Sequence, residues 1–385
     1  MSTHLSRVAC CAIALVVAAC GGGGDSTGTT PTSPGSHDTT TTPTNPVPLT
    51  VVPKAPPAVS VQGNHLVDAS GATIRFRGVN RSGTEFMCVQ GRGIFDGPSD
   101  DASVRTIASW NVNIVRVPLN EACWLGIDGL DAAYSGANYQ KAIADYVALL
   151  NHYGIVAILE PHWTAPGTVL PDKQSPMPNR DHTIDFWRGV ATAYKDNASV
   201  IFDLFNEPYP DNNSNSAEAW RCWKDGGTCN GIGFQVAGFQ ELVTTVRATG
   251  AKNVIMIGGV AYSSRLSGWL ANMPADPLNQ LAASWHIYAF SQCNTKACWD
   301  ADADPVSKQV PLILDELGRD SNLSTPLADG ITFVNTLMDW MDAHQGSYLA
   351  WTWDTWGDAH SLITNYDGTP TAYGLNFRNR FLRAQ

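Results

Sequence analysis

Eight short apolar runs alternate with longer amphipathic segments from about residue 58 to the carboxyl terminus. This alternation is typical of strand–helix units in a parallel sheet. The predicted strands lie near IRFRGVN, NIVRVPL, IVAILEPH, VIFDLFNEP, VIMIGG, LAASWHIY, VPLILDELG and SYLAWTWD. Helices are predicted between them at 100–109, 138–153, 181–195, 235–249, 263–271, 303–308, 329–344 and 372–383.

Eight such units predict an α/β fold, a closed (β/α)8 TIM barrel, with the stretch VSVQGNHLVDASGATI as a short N-terminal β-hairpin. The main alternative is a doubly wound open sheet. That fold usually carries a G-x-G-x-x-G or G-K-[ST] motif after an early strand, and neither motif occurs. The glycines of GRGIFDG at 91–97 lack the required spacing. The chain of 385 residues is long enough for more than one domain, but a (β/α)8 barrel of this kind can occupy most of that length as a single domain.

The amino terminus carries an export pattern. A basic stretch ends at Arg7, and an apolar run from Val8 to Ala19 is too short to span a bilayer, so residues 1–20 are predicted to be a signal peptide. The residues 17–20 resemble a bacterial lipobox, which implies lipidation of Cys20 and a protein that is secreted or anchored in the outer membrane. An ordinary signal peptide cleaved nearby is the alternative. Residues 21–57 are rich in Gly, Thr, Ser and Pro and are predicted to be a disordered linker, which leaves 58–385 as the catalytic domain.

Nine cysteines are present, of which Cys10, Cys11 and Cys20 lie in the amino-terminal segment. An even remainder in an exported protein predicts disulfides, although six cysteines allow many pairings. The short spacings favour the pairs Cys222–Cys229 and Cys293–Cys298, which leaves Cys88 for Cys123. A zinc site is the competing interpretation, but it lacks C-x-x-C pairs and matching histidine spacing.

Polar side chains stand where the apolar runs stop. In a barrel, these carboxyl ends of the strands meet on one face and build the site. The side chains are Arg116, His162, Asn206, Glu207, His286, Tyr288, Glu316, Trp351 and Trp353. The formal net charge of −11 argues against nucleic acid and anionic membrane surfaces as partners, apart from a lipid anchor, and favours a neutral or weakly charged ligand.

Two glutamates at such a barrel mouth match the needs of glycosidic bond cleavage. One carboxyl group must be protonated to donate to the leaving oxygen, and the other must be ionised to attack the anomeric carbon. Glu316 has Tyr288 and Arg116 as candidate partners for its charged form, which predicts the nucleophile. Glu207 follows Asn206 and an apolar strand that favour the neutral form, which predicts the acid/base.

The ordered set Arg116, His162-Trp163, Asn206-Glu207-Pro208, His286 with Tyr288, Glu316-Leu317-Gly318 and Trp351 resembles glycoside hydrolase family 5, the endoglucanase-type family of retaining barrel enzymes. The resemblance covers about residues 60 to 385. It implies these supporting roles: Arg116 beneath the nucleophile, His162 and His286 along the cleavage subsite, Asn206 on the sugar 2-hydroxyl, Tyr288 on the nucleophile oxygen, and Trp351 as the sugar floor. Leu317, where many members have an aromatic residue, and the long loop after strand four depart from the family pattern.

Several of these residues also have a purely structural interpretation. Arg116 could form a barrel-interior ion pair with Glu160, and the two histidines could be ordinary core histidines. Trp353 is the candidate for core packing, because alternation places it on the same strand face as Trp351. Glu160 lies two residues before His162 and is predicted to face the same side of the strand. It is the alternative candidate for one of the two catalytic glutamates. Asp203 and Asp315 are predicted to be structural, with Asp315 pointing away from Glu316.

Four further tryptophans are candidate subsite aromatics, since flat rings pack well against the apolar faces of sugars. Most lie in loops next to predicted disulfides, where they could equally pack the loops on themselves. They are Trp163, Trp220, Trp223 and Trp299.

The sequence therefore predicts a retaining β-glycoside hydrolase, foremost an endo-β-1,4-glucanase acting as a monomer on polysaccharide or oligosaccharide. The alternatives are a mannanase, a xyloglucanase, an exo-acting arabinofuranosidase or galactofuranosidase, and a non-catalytic carbohydrate-binding surface lipoprotein. A serine esterase would need G-x-S-x-G, which does not occur. The histidines lie on separate strands without an H-E-x-x-H motif, so neither a metal nor another cofactor is expected.

Overall fold

The computed structural model describes residues 49–383 and contains a closed barrel of eight parallel strands. Each strand pairs with the next along the chain, and the eighth pairs with the first. The predicted TIM barrel is confirmed. The strands are β1 (Arg77–Asn80), β2 (Ile114–Asn120), β3 (Val156–Trp163), β4 (Val200–Asp203), β5 (Ile255–Gly258), β6 (Leu281–Tyr288), β7 (Leu312–Gly318) and β8 (Ser347–Ala350).

Helices surround the barrel close to the predicted positions, with one correction. The helix predicted at 263–271 is reduced to Trp269–Asn272, because the chain first makes a left-handed turn in which Ala261, Tyr262 and Ser263 have φ of 54°, 57° and 55°. No helix within 49–383 is both long and apolar enough to cross a membrane. The other helices are Asp101–Ala108, Glu121–Leu125, Ala137–His152, Thr183–Tyr194, Ala217–Asp225, Phe239–Ala248, Lys296–Asp302, Asp304–Ser307, Leu327–Ala343 and Ala372–Arg383, with a short turn at Pro210–Asn213.

The predicted N-terminal hairpin is present as Ser60–Gln62 paired with His65–Val67. The linker was predicted to extend to residue 57, but its last part, residues 49–57, is hydrogen-bonded to the barrel domain. The Lys54 amide donates to the His152 carbonyl at 3.0 Å. The predicted signal peptide, Cys20 and most of the predicted linker lie outside the described residues.

The barrel interior is apolar at its amino-terminal end and polar at its carboxyl end. Successive inward positions of a strand are two residues apart. On β2, Ile114 packs in the apolar interior and Arg116 lies two residues further along. The apolar layer comprises Ile114, Val156, Ile158, Ile201, Met256, Ala282, Ile313 and Leu349, and the hairpin region adds Val59 and Leu66. Its burial stabilises the barrel and leaves the strand ends free for polar groups.

Three disulfides join the predicted pairs. Cys88–Cys123, Cys222–Cys229 and Cys293–Cys298 have Cα–Cα distances of 6.1, 5.6 and 5.4 Å. All six cysteines lie in segments that follow the carboxyl ends of strands. Cross-links of this kind restrict the unfolded chain. Here they constrain the loops around the same face that carries the polar strand ends.

Candidate active site

Arg116 is the centre of the polar layer, with no exposed side-chain surface. Its Nη1 donates to Glu316 Oε1 at 2.6 Å, and its Nη2 donates to Asp203 Oδ2 at 3.1 Å and to Asn206 Oδ1 at 2.8 Å. The alternative partner, Glu160, lies 3.5 Å from Nη2. Burial lowers the pKa of Arg116, but the surrounding carboxylates, first Glu160 and Glu316, outweigh it and raise that pKa well above its usual value. Arg116 is therefore a permanent cation under the strand ends.

Glu316, the predicted nucleophile, has both carboxylate oxygens occupied by donors. Oε1 accepts from Arg116, and Oε2 accepts from the Tyr288 hydroxyl at 2.7 Å. Burial and then the Glu316 charge raise the pKa of Tyr288 well above its usual range, so this phenol keeps its proton and donates it. Only 4% of the Glu316 side chain is exposed. These contacts hold the carboxylate in one orientation.

The prediction that Asp315 points away from Glu316 is wrong. Asp315 Oδ2 lies 3.2 Å from Arg116 Nε, and Oδ1 accepts from the Ser284 hydroxyl at 2.7 Å. The pairing register of β7 shifts here against both neighbouring strands. Against β6 the shift lies between Trp285 and His286, and against β8 it lies between Leu314 and Leu317. Such a bulge breaks the strict alternation of side chains. Two consecutive carboxylates can therefore face the same arginine.

The pKa values of Asp203 and Asp315 are shifted in opposite directions. Burial raises the pKa of Asp315, but His286 and Arg116 outweigh it and hold that pKa at about 2. Burial, followed by the charge of Asp315, raises the pKa of Asp203 well above its usual value. Both side chains are fully buried and neither lines the cleft. This placement fits their predicted structural role.

Glu207, the predicted acid/base, lies four residues beyond the end of β4, and 12% of its side chain is exposed. His286 Nδ1 lies 2.9 Å from its Oε1, and Gln174 Nε2 donates to its Oε2 at 2.6 Å. The expected apolar surroundings are therefore wrong. Burial raises the pKa of Glu207, but the hydrogen bond and charge of His286, together with Gln174, lower it below the usual value.

The two glutamates lie across a single imidazole. One oxygen of each carboxylate and a ring nitrogen of His286 are within 4.8 Å of one another. His286 Nδ1 is 3.6 Å from Glu316 Oε2, and Nε2 is 3.3 Å from Asp315 Oδ2. Burial lowers the pKa of His286, but Glu316 and Asp315 outweigh it and raise that pKa well above its usual value. These contacts join the imidazole and the carboxylates in one hydrogen-bonded network.

The carboxylates open into a cleft of about 520 Å³. Trp351 stacks on His162, with ring centroids 5.5 Å apart and planes 11° from parallel, and both line the cleft. His162 Nδ1 is 2.7 Å from Glu160 Oε1, which orients the ring. Glu160 is buried beneath the cleft and does not line it. The lining residues are His162, Gln174, Glu207, Asn213, Ala261, Tyr262, Tyr288, Phe290, Ser291, Gln292, Glu316, Trp351 and His360.

Three of the predicted subsite tryptophans are buried away from the cleft. Trp220 and Trp223 pack on each other at 5.2 Å, and the Trp223 indole donates to the Gly258 carbonyl. Trp299 donates to the Cys293 carbonyl inside its disulfide loop. None of the three lines the cleft, and two also pack beyond their own loops: Trp223 on Phe239 and Trp269, and Trp299 on Phe333 and Trp340. Trp163 is partly exposed beside Phe86, at 6.3 Å.

Trp353 packs edge-on against Trp110 at 4.7 Å and is buried, as predicted for a core residue. It does not share a strand face with Trp351, because β8 ends at Ala350 and alternation no longer applies.

Several cleft residues were not predicted from the sequence. Gln174, Tyr262, Phe290 and His360 all lie in segments beyond strand ends, where no periodicity reveals orientation. Asn80, the last residue of β1, accepts from Arg116 Nη1 at 3.1 Å. Its place at a strand end is the one signal that could have identified it, since the same rule identified the other polar residues.

Sequence comparison with curated proteins finds distant relatives. Endoglucanase A of Butyrivibrio fibrisolvens is 24% identical over 285 residues, which cover 70% of this chain and 55% of the relative. The beta-mannanase/endoglucanase A of Caldicellulosiruptor saccharolyticus is 22% identical over 286 residues, 71% of this chain and 18% of the relative. The chain thus spans about half of the first relative and a small part of the second.

Among solved structures, a beta-glucanase from Saccharophagus degradans in complex with cellotetraose superposes with a TM-score of 0.66 at 24% identity. The alignment covers 88% of this chain and 98% of that one. This likeness shows that the two proteins share the barrel fold. A family model described as cellulase (glycosyl hydrolase family 5) matches residues 67–357, which is most of the folded part. The chain therefore belongs to the cellulase family, glycosyl hydrolase family 5.

Proposed function

We propose that this protein is a retaining β-glycoside hydrolase, with Glu316 as nucleophile and Glu207 as acid/base. The observation that carries the proposal is the separation of the two carboxylates. One oxygen of Glu207 and one oxygen of Glu316 lie within 4.8 Å of each other. Retaining enzymes have carboxyl groups about 5 Å apart, whereas inverting enzymes need roughly 6.5–9.5 Å to admit a water molecule. Family membership supports the same reaction class.

The mechanism follows from the two different environments. Glu316, held by Arg116 and Tyr288, attacks the anomeric carbon as the glycosidic C–O bond breaks. Glu207 gives its proton to the departing oxygen, which leaves a glycosyl ester on Glu316. Water then attacks the same carbon, Glu207 takes a proton from that water, and Glu316 is released as a carboxylate. The proton taken from water restores Glu207 to its acid form, and the hydrogen bond of 2.9 Å to His286 Nδ1 orients its carboxyl group.

The supporting residues have contacts suited to sugar binding. The Asn206 side chain is fixed through its Oδ1 by Arg116, while its buried Nδ2 has no hydrogen-bond partner. A buried donor without a partner costs free energy, so an incoming sugar hydroxyl would compensate for it. Trp351 presents a partly exposed ring at the cleft, which provides a flat surface for a pyranose ring. His162 stacks beneath that ring.

The proposed substrate is a β-1,4-glucan, cut internally. The names of the relatives support this choice, and the beta-mannanase/endoglucanase relative makes mannan the second candidate. We expect reducing ends to appear from carboxymethylcellulose, with a rapid fall in viscosity that reports internal cleavage. Mass spectrometry of products from defined cello- and manno-oligosaccharides identifies sugar and linkage together. Cleavage of mannan alone would replace the glucanase assignment, and the absence of cleavage on all β-glycans would overturn the proposal.

We also propose that the protein is exported and either secreted or anchored in the outer membrane through lipid on Cys20. The support is the amino-terminal sequence alone, with its apolar run ending at a lipobox-like cysteine. Cells that express the full chain should incorporate labelled palmitate into it, and Cys20→Ala should abolish the label. Label retained in Cys20→Ala, or absent from the parent protein, would contradict lipidation.

A further inference from the structure

Gln174 reaches the proposed acid from a separate loop. It lies between β3 and the helix Thr183–Tyr194, and its Nε2 donates to Glu207 Oε2 at 2.6 Å. The loop is bonded to the chain just after the acid, because the Tyr209 amide donates to the Pro176 carbonyl at 2.9 Å. The Tyr209 hydroxyl also donates to the Gln174 carbonyl at 3.3 Å. The amide of Gln174 is therefore held against the carboxylate and also lines the cleft.

The bond occupies an oxygen that the reaction needs. Glu207 Oε1 is bonded to His286, so Oε2 is the other position from which a proton could reach a ligand. The amide N–H therefore competes for Oε2 with a proton directed at the ligand. The charged or titratable groups around Glu207 are His286 and Tyr288 on β6, Glu316 on β7, His162 on β3 and Tyr262 after β5. Gln174 is an uncharged donor, so its effect can be removed without changing the net charge.

We propose that Gln174 is a positioning residue that holds the acid ionised in the empty cleft and gives way when the leaving-group oxygen approaches Glu207 Oε2. This inference rests on the proposed function and concerns the control of its acid. The bond from Gln174 favours the carboxylate over the carboxylic acid, as any hydrogen bond to the charged form does. Substrate that displaces the amide removes that preference at the moment when the acid must carry a proton.

The pH dependence of kcat/KM tests the first part. This parameter reports the free enzyme, and it falls as pH rises through the pKa of the acid. Gln174→Leu removes the donor, raises that pKa, and should move the alkaline limb on cello-oligosaccharides up by about one pH unit. Because Glu207 and His286 are in contact, the apparent pKa read from the alkaline limb describes the pair and not Glu207 alone. The control Gln292→Leu alters another cleft glutamine, which donates to the Asn213 carbonyl, and should leave the limb in place.

The pH dependence of kcat tests the second part, because it reports the substrate complex. If the substrate displaces Gln174, the Gln174→Leu substitution should shift the alkaline limb of the kcat profile by less than it shifts the alkaline limb of the kcat/KM profile. Equal shifts in both profiles would overturn displacement. No shift in either profile would overturn the whole inference.

A leaving group that needs no acid separates positioning from damage to the fold. Gln174→Leu should lose less activity on 2,4-dinitrophenyl cellobioside than on cello-oligosaccharides, since this phenolate departs unprotonated. An equal loss on this substrate and on oligosaccharides, with the limb unmoved, would show a structural role and overturn the inference.

Infrared titration of the free protein gives a readout that needs no substrate. The carboxyl band that disappears in Glu207→Gln belongs to the acid, and its midpoint should rise in Gln174→Leu. An unchanged midpoint would reject the inference even if the sugar substrate proves to be a different one. A parent protein that titrates as described but cleaves no β-glycoside would instead reject the proposed function.

Discussion

The nucleophile side and the acid side of the cleft are built differently. Glu316 belongs to β7 itself, and strands β2 and β6 supply the Arg116 and Tyr288 donors that hold its two oxygens. Glu207 lies beyond the end of β4, is more exposed, and is held by His286 and by Gln174 from a loop. One side thus offers a permanent charge in a rigid frame. The other offers a movable proton, which double displacement requires.

The largest expected effect distinguishes the two glutamates by leaving group. Glu207→Gln should lower turnover of cello-oligosaccharides by roughly 10²–10⁴-fold, the contribution of general acid catalysis, but spare the first step on 2,4-dinitrophenyl cellobioside. Glu316→Gln should lose activity on both substrates by more than this factor, because no covalent intermediate can form. Burst kinetics on the aryl substrate measure the first step directly.

The opposite pattern, with Glu207→Gln inactive on the aryl substrate and Glu316→Gln active, would exchange the two roles. Equal activity of both variants with the parent would remove both glutamates from the mechanism.

The second prediction concerns the rigid side. Arg116→Met leaves Glu316 and Asp315 buried without their cation, so the free energy of unfolding should fall by about 3–5 kcal/mol in urea denaturation. The matched control is Arg105→Met, since Arg105 pairs with Asp101 on an exposed helix and should change stability by less than about 1 kcal/mol. Similar losses in the two variants would mean that the buried cluster is not held together by Arg116.

The third prediction concerns pH and the loop of the acid side. Glu121 is buried and accepts hydrogen bonds from Asn179, at 2.6 Å, and from Thr183, at the end of the loop that carries Gln174. Burial raises the pKa of Glu121 from 4.5 to about 7 in the folded protein. Its contribution to stability is therefore complete below pH 4.5 and is lost as pH rises through 7.

Between pH 4.5 and 8, this group should cost about 3 kcal/mol of stability. Glu121→Gln removes the titration, so the difference in free energy of unfolding between parent and variant should change by that amount across the interval. Urea denaturation of both proteins at the two pH values measures it. A difference that does not vary with pH would show that Glu121 is already ionised at the lower value.

The smallest expected effect concerns the phenol on the nucleophile side. Tyr288→Phe deletes the donor to Glu316 Oε2, and a hydrogen bond to a charged group predicts a fall in kcat/KM of about 10- to 100-fold. Tyr139→Phe is the control, because that hydroxyl is also buried but donates to the Thr84 carbonyl away from the cleft. Activity in Tyr288→Phe as high as in Tyr139→Phe would exclude a role for this bond in the reaction.

Site residues on strands or within a few residues of a strand end were predictable, and those further along the loops were not. Arg116, Tyr288 and Glu316 follow apolar runs whose parity is readable along the chain, and the structure brings them within hydrogen-bond distance. The orientation of Asp315 was mispredicted because a bulge interrupts that parity. The burial of Trp220 and Trp299 was not predicted because a loop aromatic next to a disulfide has no periodic signal for inside or outside.

Local periodicity and spacing were enough to predict the strand–helix alternation, the disulfide pairs and the two glutamates at or just beyond strand ends. The side chains that surround each glutamate depend instead on the folded barrel. Gln174 meets Glu207 from 33 residues away, and Arg116 meets Glu316 from 200 residues away. Contacts of such separation depend on the closure of the whole barrel and on the bonds between its loops. They hold one carboxylate between a guanidinium and a phenol, and the other between an imidazole and an amide.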